Sequence, residues 1–269
     1  MVQIHAAHRQ NLTARLANPQ MKSPFPHTTL VIHPKYRTKT YVDFMFSLPN
    51  LFLHQEGEII YKGRNELRRF NIEGTAVVVK SFRIPNIINR FVYGIFRPSK
   101  AKRAYENALK LIDIGIGTPF PIGYLTIRHG LLFTKSYFVS LQSPCPYVYN
   151  DLFYKEFYYA DDVLTAVGET AAKLHEHGYA HKDFGRGNIL FMKTNGGIKI
   201  DIVDINRLHI GKIDMYHGCK NLERLPATPH YHHLIANAYA RVRGFDADEC
   251  YNLLRHFRSL QPGKINGLY

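Results

Sequence analysis

The chain has 269 residues, of which 45% are hydrophobic and 21% are charged, and this composition excludes a disordered or low-complexity polypeptide. Its 35 Lys and Arg outnumber its 21 Asp and Glu and give a formal net charge of +14. Such a surplus favours an anionic partner, namely a nucleotide, a nucleic acid, a phosphorylated glycolipid or an anionic membrane surface. A basic surface that merely keeps the protein soluble is the alternative interpretation.

The cysteines and the apolar stretches bear on the compartment. Cys145, Cys219 and Cys250 are far apart and form no CxxC pair, so neither a zinc site nor a disulfide framework is indicated. A reducing compartment fits this pattern. The polar N-terminal segment lacks the apolar core of a secretion signal, and no run approaches the length of a membrane span. We therefore expect a cytoplasmic protein that can touch a membrane from the cytoplasmic side.

The first half of the chain predicts mainly strands. Residues 1–30 are expected to form a poorly structured tail. Leu30–Tyr36 predicts a short strand, and the apolar stretch Tyr41–Phe52 predicts a short helix ending near Pro49. Alternating residues between turn signals then predict an antiparallel meander of three strands, at Glu58–Lys62, Glu66–Ile72 and Thr75–Phe82.

A helix and two further strands complete this half. Ser99 is a natural N-cap, and Gly115 and Gly117 end the helix. Its predicted buried face follows helical spacing and comprises Ala101, Ala104, Tyr105, Ala108, Leu109 and Ile112. Two strands follow around a His129-Gly130 turn, and the proline-containing segment 142–150 is predicted to be a linker.

The second half is predicted to be mainly helical. Asp161–His177 has one apolar face and ends at Gly178, and helical patterns return at about 231–243 and 246–260. Between them two strands flank an Asn195-Gly196-Gly197 turn.

The segment between the long helix and these strands is "HKDFGRGNIL", residues 181–190. Transfer of a phosphoryl group from ATP to a hydroxyl requires a carboxylate that faces the hydroxyl and oxygen ligands for Mg²⁺. Asp183 is the candidate carboxylate, and Asn188 and Asp204 are candidate metal ligands. Lys80, at the end of an apolar strand, is a candidate phosphate ligand, and Glu106 on the following helix is its candidate partner.

This constellation resembles the protein-kinase superfamily. "HKDFGRGN" is similar to the catalytic loop H-R-D-x-x-x-x-N, with Lys182 in place of the arginine, and the order Lys80, Glu106, Asp183, Asn188, Asp204 is the kinase order. Together with "DINR", "HPKY" and "GEIIYKGRNELRRF", the motif resembles the bacterial lipopolysaccharide core kinases that act on Kdo and heptose. The resemblance covers about residues 31–260.

The resemblance implies a fold and a reaction. It implies a two-lobed α+β fold, with an antiparallel-sheet N-lobe carrying one helix at 31–141 and a mainly helical C-lobe at 142–269. ATP and Mg²⁺ would bind in the cleft between the lobes. The γ-phosphate would pass to a sugar hydroxyl of the lipopolysaccharide inner core, Kdo or heptose, on an anionic glycolipid.

The resemblance also implies residue roles. Lys80 would contact the α- and β-phosphates and pair with Glu106, and Asp183 would orient the hydroxyl or accept its proton. Asn188 and Asp204 would hold Mg²⁺, and His181 would brace the loop.

The chain departs from the protein kinases in three places. The glycine-rich phosphate loop is absent, so ATP is expected to be covered by the segment Gly63, Arg64 and Asn65. Asp204-Ile205-Asn206 replaces D-F-G, and no A-P-E motif follows. A peptide-docking platform is therefore not expected, which favours a small or glycolipid acceptor.

Three alternatives remain open, namely an atypical Ser/Thr protein kinase, a small-molecule phosphotransferase and a pseudokinase scaffold. The presence of Asp183, Asn188 and Asp204 together argues against the scaffold. No nucleic-acid recognition motif is present, so no nucleic-acid partner is expected. The basic run 83–103 is either a solvated surface or a patch for the phosphates of a glycolipid or membrane. Asp201 is interpreted as structural, because strand alternation places it opposite Asp204.

Overall fold

The computed structural model describes residues 28–82, 98–129 and 132–260. They divide into two compact units, the first from residues 1–102 and 122–139 and the second from residues 103–121 and 140–269. The predicted tail lies outside the described residues up to position 27, and strand β1 begins at Thr28. Most of the basic run, residues 83–97, also lies outside them.

The first unit is built on a six-stranded antiparallel sheet with the order β1-β5-β6-β4-β3-β2. Its strands are β1 (Thr28–Ile32), β2 (Glu58–Lys62), β3 (Glu66–Ile72), β4 (Thr75–Phe82), β5 (Pro121–His129) and β6 (Leu132–Leu141). The meander β2-β3-β4 has the predicted bounds and is antiparallel throughout. β1 ends before the predicted Tyr36, because Pro34 opens a 3-10 turn at Pro34–Tyr36.

Helix α1 (Lys39–Leu53) is longer than predicted. Its N-cap is Thr38, whose side chain accepts a hydrogen bond from the Tyr41 N–H. The prediction of an end near Pro49 was wrong, since the helix continues for four residues beyond it. Packing accounts for the extension, because the Phe52 ring lies 5.2 Å from the Tyr137 ring and 6.4 Å from the Phe70 ring. With α1, the described part of residues 31–141 contains two helices, where the predicted N-lobe had one.

A buried arginine lies between α1 and the sheet. Arg68 on β3 is 1% exposed, and its Nη1 donates to the Glu56 carbonyl oxygen at 2.7 Å. Its Nε donates to Glu66 Oε1 at 2.7 Å, and its guanidinium lies 5.2 Å from the Phe52 ring centroid. The charge is therefore compensated by a carboxylate, a carbonyl and an aromatic face.

We expect Glu66→Gln to lower the free energy of unfolding by about 2 kcal/mol, because the variant leaves the Arg68 guanidinium buried without its counter-charge. The effect lies below that of a fully buried pair because Glu66 is 25% exposed. Urea denaturation of both proteins measures the difference. The matched control is Glu58→Gln, which removes an exposed pair with Arg69 and should change stability by less than about 1 kcal/mol. Equal losses in the two variants would contradict the prediction.

Helix α2 (Lys100–Asp113) begins as predicted. The Ser99 Oγ accepts a hydrogen bond from the Lys102 N–H at 3.0 Å, which confirms the N-cap. The predicted buried face is right in its first two turns, where Ala101, Ala104, Tyr105 and Ala108 are buried. Beyond Ala108 it is wrong, because Leu109 is only half-buried, Leu111 is buried and Ile112 is 36% exposed. The buried stripe continues at intervals of three residues from Ala108, which leaves Ile112 beside it.

The second unit is mainly helical. Its helices after α2 are α3 (Ala160–Glu176), α4 (Met215–Leu222), α5 (Pro229–Arg243) and α6 (Ala247–Ser259). Short strands form two small sheets, one of order β10-β9-β7 and one of order β11-β8. These strands are β7 (Tyr147–Val148), β8 (Tyr179–His181), β9 (Ile189–Thr194), β10 (Gly197–Ile202) and β11 (Leu208–Ile210). The predicted long helix and both late helices are thus present, with ends shifted by one or two residues.

Two local features shape this unit. The predicted linker 142–150 is partly ordered by pairing, because Tyr147 and Val148 pair with β9. Gly168 lets α3 approach α5 closely, since a Cβ there would lie 2.5 Å from the Ile235 carbonyl oxygen. Among the described residues, no helix combines the length and the apolar character needed to cross a bilayer.

Candidate active site

The loop that carries Asp183 starts from a buried histidine. Gly178, with φ +75°, turns the chain out of α3 into β8, which ends at His181. His181 is fully buried, its Nδ1 accepts from the Asp183 N–H at 3.1 Å, and its Nε2 donates to the Val203 carbonyl oxygen at 3.1 Å. Burial lowers the pKa of His181, so the ring is neutral and acts as a brace between two backbone segments. This is the bracing position predicted for it.

The spacing of Asp183 and Asn188 closes the loop. Asn188 Nδ2 donates to the Asp183 carbonyl oxygen at 2.9 Å, and the Asn188 N–H donates to the Gly185 carbonyl oxygen at 2.9 Å. Because the amide nitrogen is used inside the loop, the Asn188 Oδ1 is directed away from it. An asparagine five residues after the aspartate therefore fixes the loop and presents an oxygen.

Asp204 follows β10 on a segment hydrogen-bonded to this loop. The Val203 N–H donates to the Asn188 carbonyl oxygen at 2.9 Å, which brings the Asn188 and Asp204 backbones together. Asp204 has φ +57°, a left-handed conformation that is uncommon outside glycine. Asn206 Nδ2 donates to Asp204 Oδ1 at 2.5 Å, and so orients the carboxylate. An aspartate with an uncommon backbone conformation, next to a hydrogen-bonded asparagine, is an arrangement typical of functional sites.

The donor chemistry of these two residues fits Mg²⁺. One carboxylate and one amide oxygen are hard ligands, and Mg²⁺ commonly takes one or two protein ligands while substrate phosphates and water complete the shell. Within the described ranges, no group of three or more His, Cys, Asp and Glu side chains is placed to hold a metal by itself. The arrangement suits a metal that arrives with a phosphorylated substrate.

Residues of α2 and of the preceding linker support the Asp204 segment. Asn107 on α2 is buried and its Nδ2 donates to the Ile205 carbonyl oxygen at 2.7 Å. Asp201 is 2% exposed and accepts a hydrogen bond from Ser143 Oγ at 2.6 Å. The structural interpretation of Asp201 agrees with this burial.

The candidate nucleotide-binding residues precede the Asp183 loop by many positions in the chain. Lys80, on β4 of the first unit, pairs with Leu67, and alternation places both on the face opposite the buried Arg68 and Val79. The Gly63–Asn65 bend joins β2 to β3 at the same end of β3 as Lys80. Glu106 lies on α2 within the second unit. The pairing of Lys80 with Glu106 and the nucleotide contacts of the bend stay predictions.

Arg224 is a site residue that the sequence analysis missed. Its Nη1 donates to Asp183 Oδ1 at 2.6 Å, and the two side chains are 47% and 51% exposed. Arg224 follows α4 and lies far from the loop in sequence, so no motif or period links it to Asp183.

A chain of hydrogen-bonded side chains in the interior of the second unit supports the loop that carries Asp183. Asn221 Nδ2 donates to the His181 carbonyl oxygen at 2.9 Å, and its Oδ1 accepts from His175 Nε2 at 3.1 Å. His175 Nδ1 accepts from the Tyr239 hydroxyl at 3.0 Å, and Arg243 Nη1 donates to the Tyr239 oxygen at 2.9 Å. Burial lowers the pKa of His175 to about 4, so the chain requires the neutral imidazole.

This network predicts an acid-sensitive stability. An unfolded histidine gains its proton near pH 6.5, whereas folded His175 resists protonation until about pH 4. Its contribution is therefore complete above pH 6.5 and is lost as the pH falls toward the folded value. We expect the free energy of unfolding to drop by about 2 kcal/mol between pH 7 and pH 5 because of this residue alone.

Urea denaturation across that pH range tests the expectation. His175→Asn should flatten the curve, while the control His177→Asn, at an exposed position, should retain the wild-type slope. A wild-type slope in His175→Asn would contradict the assignment.

Comparison with solved structures identifies the fold. WaaP in complex with acyl carrier protein matches with a TM-score of 0.58 and 15% identity, over 86% of this chain and 97% of that chain. The Rio2 kinase-ADP/Mg²⁺-phosphoaspartate complex from Chaetomium thermophilum has a TM-score of 0.44 and 15% identity, over 97% of this chain and 73% of that chain, and supports no inference. No family model and no curated protein matches the sequence. This likeness shows the fold alone: the chain shares the fold of WaaP, which agrees with the predicted protein-kinase-like fold class.

Proposed function

We propose that this protein transfers the γ-phosphate of ATP to a sugar hydroxyl, Kdo or heptose, of an anionic lipopolysaccharide-type glycolipid. The observation that carries the proposal is the hydrogen-bonded assembly of the Asp183 loop with the Asp204 segment. Backbone bonds from Val203 to Asn188 and from Lys182 to Arg207 hold the two segments together. This rigid support keeps the Asp183 carboxylate and the Asn188 and Asp204 oxygens on one hydrogen-bonded framework, which is the requirement of phosphoryl transfer.

Asp183 is assigned the reacting position. Its side chain is half exposed, so an acceptor hydroxyl can reach the carboxylate. Asp183 would orient the acceptor oxygen and take its proton as the oxygen–phosphorus bond forms and ADP leaves. His181 contributes by fixing the Asp183 backbone, because its Nδ1 holds the Asp183 N–H.

Asn188 and Asp204 are assigned to Mg²⁺. The metal would neutralise charge on the transferring phosphates. Asn206 supports this role because it orients the Asp204 carboxylate. Lys80 is proposed to contact the α- and β-phosphates with Glu106 as its partner, and Gly63, Arg64 and Asn65 are proposed to cover the nucleotide.

The glycolipid acceptor is supported by charge and by the lost peptide-docking features. A net charge of +14 favours an acceptor that carries carboxylates or phosphates and a membrane surface of anionic lipids. We propose peripheral contact with the cytoplasmic face of the inner membrane on the same ground. A protein kinase and a small-molecule phosphotransferase remain the competing functions, since both use the same Asp and Asn.

The test is transfer of labelled γ-phosphate from Mg-ATP by the purified protein. A lipid A precursor carrying Kdo is the acceptor, and label is counted separately in the lipid and protein fractions. Asp183→Ala is measured beside the wild-type protein. Label in the lipid that disappears in the variant is the expected result.

The other outcomes separate the competing functions. Label in the protein fraction alone would replace the proposal with a protein kinase. ATP consumption that requires a water-soluble sugar or alcohol would indicate a small-molecule phosphotransferase. If a direct titration detects no nucleotide binding, the pseudokinase scaffold becomes the favoured interpretation.

A further inference from the structure

The Arg224–Asp183 ion pair occupies one oxygen of the carboxylate that the reaction needs. Arg224 Nη1 lies 2.6 Å from Asp183 Oδ1, so this oxygen already accepts a hydrogen bond from a cation. The lone pair that holds the guanidinium N–H is taken, so while the ion pair lasts an acceptor hydroxyl is limited to the remaining acceptor positions of the carboxylate. Since both side chains are about half exposed, the pair is weak enough to exchange partners when a ligand arrives.

The backbone of Arg224 is fixed although its side chain is exposed. On one side, Arg258 Nη1 donates to the Glu223 carbonyl oxygen at 3.3 Å. On the other side, the buried Tyr149 hydroxyl donates to the Pro226 carbonyl oxygen at 2.8 Å. Leu225, next to Arg224, is fully buried. The guanidinium is therefore presented from a rigid base, as binding residues generally are.

Three further cations belong to the same hydrogen-bonded framework. Lys182 precedes Asp183, and Arg186 follows it by three residues in the loop. The Lys182 N–H donates to the Arg207 carbonyl oxygen at 3.0 Å, so Arg207 lies on the adjoining segment. All three side chains are exposed, and none has an ion-pair partner among the residues that the structure describes. We call Lys182, Arg186, Arg207 and Arg224 the cation cluster.

We propose that the cation cluster is a subsite for an anionic group of the acceptor, a carboxylate or a phosphate close to the receiving hydroxyl, and that Arg224 is its central ligand. This inference rests on the proposed phosphoryl transfer and adds the chemistry that selects the acceptor. A planar guanidinium binds carboxylates and phosphates through paired hydrogen bonds, which suits Arg224 to either group.

Binding of the acceptor anion couples recognition to the reaction. When Arg224 turns from Asp183 to the anion, Asp183 Oδ1 becomes available to the hydroxyl beside that anion. The acceptor oxygen then forms its bond to the γ-phosphorus, the bond from phosphorus to the β–γ bridging oxygen breaks, and the proton passes to Asp183. An acceptor without the anion leaves Arg224 on Asp183 and reacts slowly.

The experiment measures anion binding by the full-length protein in saturating Mg-ADP, so that the nucleotide site is filled. Inorganic phosphate and free Kdo are titrated calorimetrically into wild type, Arg224→Gln, Arg224→Lys and the control Arg241→Gln. Arg241 is a matched control because it is an exposed arginine that pairs with Glu169 on α3. Thermal unfolding of each variant confirms folding, and the two probes distinguish phosphate from carboxylate recognition.

We expect Arg224→Gln to weaken binding of at least one probe by about 10- to 100-fold, as loss of a charge-assisted hydrogen bond does. The affinity of Arg224→Lys should lie between those of wild type and Arg224→Gln. The affinity of Arg241→Gln should stay within about twofold of wild type. Equal affinity in Arg224→Gln and Arg241→Gln, or no binding of either probe by wild type, overturns the subsite.

A second arm compares the glycolipid acceptor with its carboxyl methyl esters. If the recognised anion is the carboxylate, Arg224→Gln should reduce kcat/KM for the free acid by about 10- to 100-fold and leave the already slow ester almost unchanged. Equal reductions for acid and ester, together with unchanged phosphate binding in Arg224→Gln, would mean that Arg224 only positions Asp183, which overturns the proposal. If wild type transfers nothing to the glycolipid, the proposed function fails, and the binding titration still decides the subsite.

Discussion

Asp183→Asn is expected to reduce phosphoryl transfer by about 10²- to 10⁴-fold, the contribution typical of general acid–base catalysis. Asparagine has the size of aspartate, and its Oδ1 can still accept the hydrogen bond from Arg224. The backbone contacts to His181 and Asn188 do not involve the carboxylate and are retained. What the variant loses is the ability to take a proton.

The measurement is single-turnover transfer from Mg-ATP, with nucleotide affinity determined in parallel. Nucleotide affinity should stay within about threefold of wild type, because Asp183 is assigned to the acceptor and not to ADP or ATP. Asp161→Asn serves as the control, since the Asp161 side chain is 59% exposed and its carboxylate accepts a hydrogen bond from His230. A transfer rate within about tenfold of wild type would mean that Asp183 orients the acceptor without accepting its proton.

Asp204→Asn is expected to lower kcat by about 10²- to 10³-fold, because a metal ligand contributes several kcal/mol of charge stabilisation and each 1.36 kcal/mol is tenfold in rate. The Mg²⁺ concentration for half-maximal activity should rise at least about tenfold, since a neutral amide binds Mg²⁺ more weakly than a carboxylate. Raising Mg²⁺ should therefore recover part of the activity.

Stability separates this loss from misfolding. Asn tolerates the left-handed conformation at φ +57° about as well as Asp does, so Asp204→Asn should unfold at the wild-type temperature. Asp204→Ala should lose the same activity and also about 1 kcal/mol of stability, because alanine adopts this conformation poorly. An Asp204→Asn protein with wild-type Mg²⁺ dependence would remove Asp204 from the metal site.

The features predicted well from sequence are those whose physical cause is local. Strands β2, β3 and β4 alternate and are separated by turn residues, so their bounds and antiparallel pairing follow from short stretches of chain. Ser99 caps α2 because it precedes the helix directly. The Asp183 to Asn188 spacing belongs to the same class, since the hydrogen bond that explains it spans five residues.

Predictions failed where packing at a distance overrides the local signal. α1 passes through Pro49 because aromatic contacts from Phe52 outweigh the helix-breaking preference of proline. Tyr147 and Val148 pair with β9 although the prolines around them indicate a linker. The burial of Leu111 in place of Ile112 likewise depends on what packs against α2.

The sequence by itself determined the fold class and the candidate reacting residues, because strand alternation, helix caps and a short polar loop each depend on residues that are close together in the chain. Only the tertiary structure decided how that loop is held and what faces it. Arg224 reaches Asp183, and Asn221 links His175 to the His181 carbonyl, through contacts that join residues tens of positions apart. Such contacts have no period and no fixed spacing, since they arise when packing of α3, α4 and α5 brings their polar side chains together.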